Sequence, residues 1–143
     1  MSKVFFGIPE GIKEGDIFPS RQALIDNRLH RSTQRGIDGN GTDGSAAIVI
    51  SGGYIDDYDN GDEILYTGEG GNDSRTGRQF KDQSTSSPGN AGLILSMKKK
   101  LPVRVIRSSK HNSPFAPKNG YKFDGIYYVK EYSIKKGKDG YKI

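Results

Sequence analysis

The sequence predicts an α+β domain: a twisted, barrel-like β-sheet carrying about two helices. Three observations lead there. At 143 residues the chain has the size of one domain with one core. Only 32% of residues are apolar and the mean hydropathy is −0.71, yet aromatics reach 10% and glycine 20 residues, which suits short strands joined by turns rather than a disordered tail. Several β-branched or aromatic runs lie between Gly, Asn and Asp clusters, and two segments have helical start signals.

In chain order, a first helix is expected over residues 21–29, where the Ser20 hydroxyl can accept from the first free amides and Ala23, Leu24 and Ile25 form the buried side. Residues 36–44 (GIDGNGTDG) are glycine and polar turn formers and predict a loop of special backbone angles. Residues 45–50 read as a buried strand and residues 63–67 as another. Residues 68–90 hold almost no apolar side chain and predict a long exposed loop, a kind of segment that tends to carry function. Pro88 suits a first helical turn, so a second helix is expected over residues 90–97 with Leu93, Ile94 and Met97 inward. In residues 101–107 the alternation of Val103 and Val105 with Arg104 predicts a strand with a basic outer edge. Residues 124–134 predict a further strand and residues 141–143 the start of a last one. A chain that stops where a strand begins is expected to be the N-terminal part of a longer protein, with residues 1–143 forming one domain.

Composition excludes several chemistries. Without cysteine there is no disulfide, thiolate nucleophile or Cys-based zinc site. His30 and His111 are too few for a multi-His metal site and read as loop or surface residues. The first ten residues lack the layout of a secretory signal, and no run approaches the roughly 18 to 20 apolar residues of a membrane span. Charge is divided unevenly: residues 1–71 hold 6 Lys+Arg against 12 Asp+Glu, residues 72–143 hold 16 against 5. A single run such as residues 98–100 is ordinarily just solvated, but a coherently basic half offers a face to a polyanion.

The acidic cluster Asp56, Asp57, Asp59, Asp62 and Glu63 does not make a calcium loop. With Gly61 as the loop glycine, the third and twelfth positions fall on Tyr58 and Thr67. No G-x-S-x-G elbow or paired metal carboxylates occur, and the glycines of residues 68–71 are not followed by Lys-Ser/Thr. No catalytic residue, metal or cofactor is therefore assigned. Gly70 and Gly71 do offer backbone amides suited to a nucleic-acid backbone. What remains is Ser51-Gly52-Gly53-Tyr54, then Asp57, then Tyr66-Thr67. Tyrosines at strand ends usually pack, but two aromatic faces with one carboxylate between them are also the parts of a base pocket. Stacking is worth roughly 1–3 kcal/mol per base, enough for two faces to offset the few kcal/mol of flipping a base out. A carboxylate accepts from the exocyclic amine of cytosine and is repelled by the O4 of thymine.

These segments resemble the SET-and-RING-associated (SRA) domain, also called YDG after a motif present here as Phe123-Asp124-Gly125. The resemblance covers nearly the whole chain and is most specific in GGYIDDYDNGDEILYTGEGG. It implies an SRA/PUA-like barrel that recognises 5-methylcytosine, or a related modified cytosine, in duplex DNA by base flipping. On matching positions, Tyr54 and Tyr66 look like the stacking pair and Asp57 the acceptor on the Watson–Crick edge, completed by backbone groups of Ser51, Gly52, Gly53 and Thr67. Residues 31–39 and 72–81 resemble the two loops that enter the DNA, with Arg31, Arg35, Arg75 and Arg78 on phosphates. The second loop is shorter than in animal members and lacks their Asn-Lys-Arg, so a preference for hemimethylated CpG is not implied. Its short T-G-R-Q form is more like bacterial members that precede a C-terminal HNH nuclease in modification-dependent restriction enzymes. The resemblance thus implies a non-catalytic specificity module in a prokaryotic cytoplasm, with no membrane partner. Two rival readings are that the chain is itself a modification-dependent nuclease, or an RNA-binding relative of the same barrel.

Overall fold

The computed structural model describes residues 4–33, 35–51, 58–59, 61, 63–67, 88–111, 114–135 and 138–142. Its elements in chain order are β1 (Ile17–Phe18), α1 (Arg21–Asp26), β2 (Ile37–Asn40), β3 (Gly44–Ile50), β4 (Tyr58–Asp59), β5 (Ile64–Thr67), α2 (Pro88–Lys99), β6 (Val103–Ser108), β7 (Tyr121–Tyr127), β8 (Glu131–Lys135) and β9 (Lys138–Lys142). The α+β class with two helices is as expected, and the strands are divided over two sheets. One runs β1-β7-β6-β3-β2, the other β4-β5-β9-β8.

The pair β3 and β6 is parallel and both strands are buried along their full length. A strand covered on both faces reads as a near-continuous apolar run, which GSAAIVI does. Its two faces serve two cores. Ile48, Ile50, Val103 and Val105 pack with Ile37, Ile64, Tyr66 and Leu93, and Ile94 and Met97 close over them. On the other side Val49, Ile106 and Phe123 pack with Phe18, Leu24 and Leu29. Helix α2 is stitched to β3 by Ser96, whose Oγ accepts from the Ser45 amide at 2.9 Å and donates to the Ser45 carbonyl at 2.8 Å.

Several elements differ from the sequence expectation for identifiable reasons. Ser20 caps α1 as expected, accepting from the Ala23 amide at 3.2 Å, but the helix stops at Asp26 because Arg28 turns left-handed at φ 62°. Residues 37–40 form a strand rather than a loop. Gly39 lies so close to Ser45 across the hairpin that a Cβ would fall 2.3 Å from the Ser45 Cα, so this glycine permits close strand approach. The turn that follows is fixed by Asn40 Oδ1, which accepts from the amides of Thr42 and Asp43. Helix α2 begins at Pro88 itself and runs to Lys99, ending where Lys100 takes φ 57°. The strand expected over residues 124–134 is two strands in different sheets, β7 and β8. Strand β9 begins at Lys138 and lies between β5 and β8. Apart from residues 88–90, the long loop expected over residues 68–90 lies outside the described residues.

Candidate nucleic-acid interface

Of the predicted pocket, Tyr66, Thr67 and Ser51 are described. Strand β5 carries Tyr66 opposite Tyr141 and Thr67 opposite Gly140 of β9. Tyr66 shares its strand face with Ile64 and is buried with it among Ile37, Ile48, Ile50, Val103, Val105 and Leu93, so in this structure it is a packed wall. Ser51 is exposed immediately after β3. Gly52, Gly53, Tyr54, Asp57, Gly70, Gly71, Arg75 and Arg78 lie outside the described residues.

The first predicted DNA loop is braced from within. His30 is fully buried, and its Nδ1 accepts from the Ser32 amide at 3.1 Å, which leaves Nε2 to donate to the Gly36 carbonyl at 3.2 Å. Burial, then the charge of Arg21, pushes this imidazole down to about 4. Arg21 reaches from α1 to the Ser32 carbonyl at 2.7 Å and to that of Arg35. The Gly36 carbonyl also accepts from the Val49 amide at 2.8 Å, and a Cβ at this position would fall 2.8 Å from the Tyr66 hydroxyl. Arg31 pairs with Asp38 at 2.8 Å with its side chain 37% exposed, and Arg35 donates to the Gly39 carbonyl at 3.3 Å. Both predicted phosphate arginines of this loop are therefore oriented by the protein itself.

The structure changes what three sets of residues do. Arg104 is no basic outer edge: it is fully buried, donating through Nε to the Leu29 carbonyl at 2.9 Å and through Nη1 to those of Phe5 and Gly7. The Phe5 ring lies 5.5 Å from its guanidinium carbon, and burial lowers its pKa to about 10, so the charge persists at neutral pH. His30 and His111 lie in loop segments, as expected, but both are buried rather than at the surface. Asp59, counted in an acidic cluster, is a structural anion. Arg107 donates to it through Nε at 2.6 Å and Nη2 at 2.7 Å, and His111 Nε2 lies 2.9 Å away. Burial raises the Asp59 pKa, but the bonds from Arg107, the Gly61 amide and His111 together hold it below the usual carboxylate range. Asp124 of the Phe123-Asp124-Gly125 motif flanks the same guanidinium at 2.9 Å, as an ion pair rather than an aligned hydrogen bond.

Among the described residues no group of three His, Asp or Glu is placed to hold a metal ion, and no helix is long and apolar enough to cross a membrane.

Comparison with known proteins extends these observations. The chain is 36% identical over 159 residues to the E3 ubiquitin-protein ligase UHRF1 of Xenopus laevis, covering 96% of this chain and 20% of that protein. Among solved structures it matches the modification dependent TagI restriction endonuclease with TM-score 0.92 and 40% identity, covering 99% of this chain and 52% of that one. It matches the SUVH5 SRA domain in complex with fully methylated CG DNA with TM-score 0.80 and 39% identity, over 96% of this chain and 91% of that one, and the same domain is also solved on fully hydroxymethylated CG DNA. This chain thus spans about half of the endonuclease and a fifth of the ligase. The SAD/SRA domain pattern matches residues 5–143, and with a two-sheet fold that superposes on SRA structures along nearly its whole length, the chain belongs to the SAD/SRA domain family.

Proposed function

We propose that this domain binds duplex DNA and reads 5-methylcytosine or a related modified cytosine by drawing the base out of the helix. The observation that carries the reading is the likeness, over 96% of the chain, to an SRA domain solved on methylated DNA. Strand β5 places Tyr66, buried against the core, directly before the backbone of Thr67 at the strand end, the order that the reading requires. In this reading Tyr54 and Tyr66 sandwich the base, Asp57 accepts from its amine, and Ser51, Gly52, Gly53 and Thr67 supply backbone groups. Arg31, Arg35, Arg75 and Arg78, with the amides of Gly70 and Gly71, hold the phosphates around the vacated site.

Burying one methyl contributes on the order of 0.8 kcal/mol, about a fourfold preference, so larger selectivity has to come from the shape of the slot. The domain by itself is a binding module without catalytic residues. In the whole protein we read it as the specificity part of a prokaryotic, cytoplasmic, HNH-type modification-dependent restriction endonuclease; its likeness to about half of a modification dependent restriction endonuclease supports the modification-dependent part of that reading.

Competition binding with matched duplexes carrying cytosine, 5-methylcytosine or 5-hydroxymethylcytosine at one site tests the proposal. A preference for a modified duplex, accompanied by unstacking of that base, is the expected result. Equal affinity for all three overturns it and favours the RNA-binding relative. Cleavage of methylated plasmid by this chain with Mg²⁺, abolished by one acidic substitution, favours the nuclease instead.

A further inference from the structure

Arg21 opens α1, is half-buried, and reaches into the first loop proposed to meet DNA. Its Nη2 spends both N–H groups on that loop's backbone, donating to the Ser32 carbonyl at 2.7 Å and to the Arg35 carbonyl at 2.5 Å. The same turn is closed by the Arg35 amide, which donates to Ser32 Oγ at 2.9 Å. Of the other donors of Arg21, Nε is buried with no acceptor among the described residues. Nη1 also has no acceptor among them, but it is not sealed from solvent.

Among the described residues no carboxylate pairs with this cation. Asp38 of β2 is already taken by Arg31 at 2.8 Å and lies 3.9 Å from Arg104. Asp26, at the end of α1, accepts from Gln22 at 3.0 Å. Burial lowers the Arg21 pKa, and the groups that raise it again are the phenols of Tyr121 and Tyr66, which are neutral at pH 7. A clasp on two carbonyls needs only N–H groups, and a neutral amide supplies those without the cost of half-burying an unpaired charge. A guanidinium anchored by one nitrogen, with a second turned outward and no acid beside it, is suited to an anion that arrives from outside.

We infer that Arg21 binds a backbone phosphate of the duplex through Nη1, at the foot of the loop that carries Arg31 and Arg35. The planar fork matches phosphate oxygens, and because Nη2 is already anchored, little side-chain freedom is lost when the phosphate arrives. Arg31 differs, since its charge is met within the protein by Asp38. A phosphate contact carries no sequence information, so this one adds affinity alike for modified and unmodified DNA and fixes where the loop sits on the backbone. The inference rests on the DNA-binding part of the proposed function and is independent of which residues read the base.

The test compares wild type, Arg21→Gln and Arg21→Lys on a duplex with one 5-methylcytosine and on the same duplex unmodified, over a range of salt, with thermal melts to check the fold. Expected for Arg21→Gln is an equal loss on both duplexes, about tenfold, and a slope of log affinity against log salt lower by about 0.9, the loss of one phosphate contact. Arg21→Lys keeps the charge and is expected to keep the slope. A second series replaces single phosphates around the modified base with uncharged methylphosphonate. At one linkage the replacement is expected to weaken wild type about tenfold and Arg21→Gln by less than about twofold, because its partner is already gone. A lower melting temperature for Arg21→Gln with a wild-type slope, or losses equal for wild type and variant at every linkage, overturns the inference in favour of a backbone clasp. If Arg21→Gln does not fold, wild type is read by NMR: the Arg21 Nη signals, assigned with Arg21→Lys, are expected to shift on adding the duplex, and unmoved signals overturn the inference. A wild type that binds both duplexes equally overturns the reading of modified cytosine and leaves the Arg21→Gln slope to decide this inference. A selective wild type whose slope Arg21→Gln does not change overturns this inference alone.

Discussion

The imidazole of His30 donates to the Gly36 carbonyl at 3.2 Å, closing the base of the loop that carries Arg31 and Arg35. Because the buried ring titrates at about 4 rather than near 6.5, the folded chain binds its proton more weakly than the unfolded chain. The contribution is complete above about pH 6.5 and is lost as pH falls toward 4, a swing on the order of 3 kcal/mol by linkage. Thermal melts across that window are expected to show a falling Tm, with His30→Gln flattening the curve. A flat wild-type profile would contradict the buried, neutral imidazole. Asp59, whose pKa is depressed, gives up its share only at still lower pH.

Arg104 is predicted to be a stability residue. Arg104→Met leaves the carbonyls of Leu29, Phe5 and Gly7 without that donor and removes a cation 3.9 Å from Asp38 Oδ2. Breaking such a buried group costs about 3–5 kcal/mol, read as a shift of the urea midpoint at constant slope. Arg104→Lys, with no planar fork to reach three carbonyls, is expected to recover less than half of the loss. A midpoint within experimental error of wild type would show that the buried arginine is dispensable.

Gly36 and Tyr66 are predicted to be coupled. A Cβ on residue 36 would stand 2.8 Å from the hydroxyl of the buried Tyr66, inside contact distance. Gly36→Ala is expected to cost about 1–3 kcal/mol by overpacking, and less in a Tyr66→Phe background where the hydroxyl is gone. Additive effects in that double-mutant cycle would show that the two residues do not touch.

For the DNA contacts, Arg78→Gln is expected to weaken binding to every duplex alike and to lower the slope of log affinity against log salt by about 0.9 if it neutralises one phosphate. Equal slopes for wild type and variant remove Arg78 from the interface. Asp57→Ala, by contrast, is expected to leave the slope alone and erase the preference for cytosine over thymine at the target position, measured with matched duplexes.

Much of the fold was legible because its signals are local. Ser20 before α1, Pro88 at the start of α2 and the apolar run of β3 each act on their immediate neighbours, and the ordered glycine and tyrosine motifs of the SRA resemblance are contiguous in sequence. The glycines of residues 36–44 misled because the same freedom that suits a loop also lets two strands approach closely, and only the facing Ser45 shows which applies.

Charge was different. Arg104, Arg107, Asp59 and His30 are residue types that ordinarily stay in water, and nothing beside them in sequence says otherwise. Their partners lie far along the chain: Arg104 meets Leu29 across 75 residues and Arg107 meets Asp59 across 48. Sequence determined most of the segments that become strands and helices and the family pattern they spell. Whether a given arginine faces a phosphate or is sealed against a carboxylate was decided only when the sheets came together, because burying an ion is favourable only where the packed structure brings its counter-charge and hydrogen-bond partners to the same place.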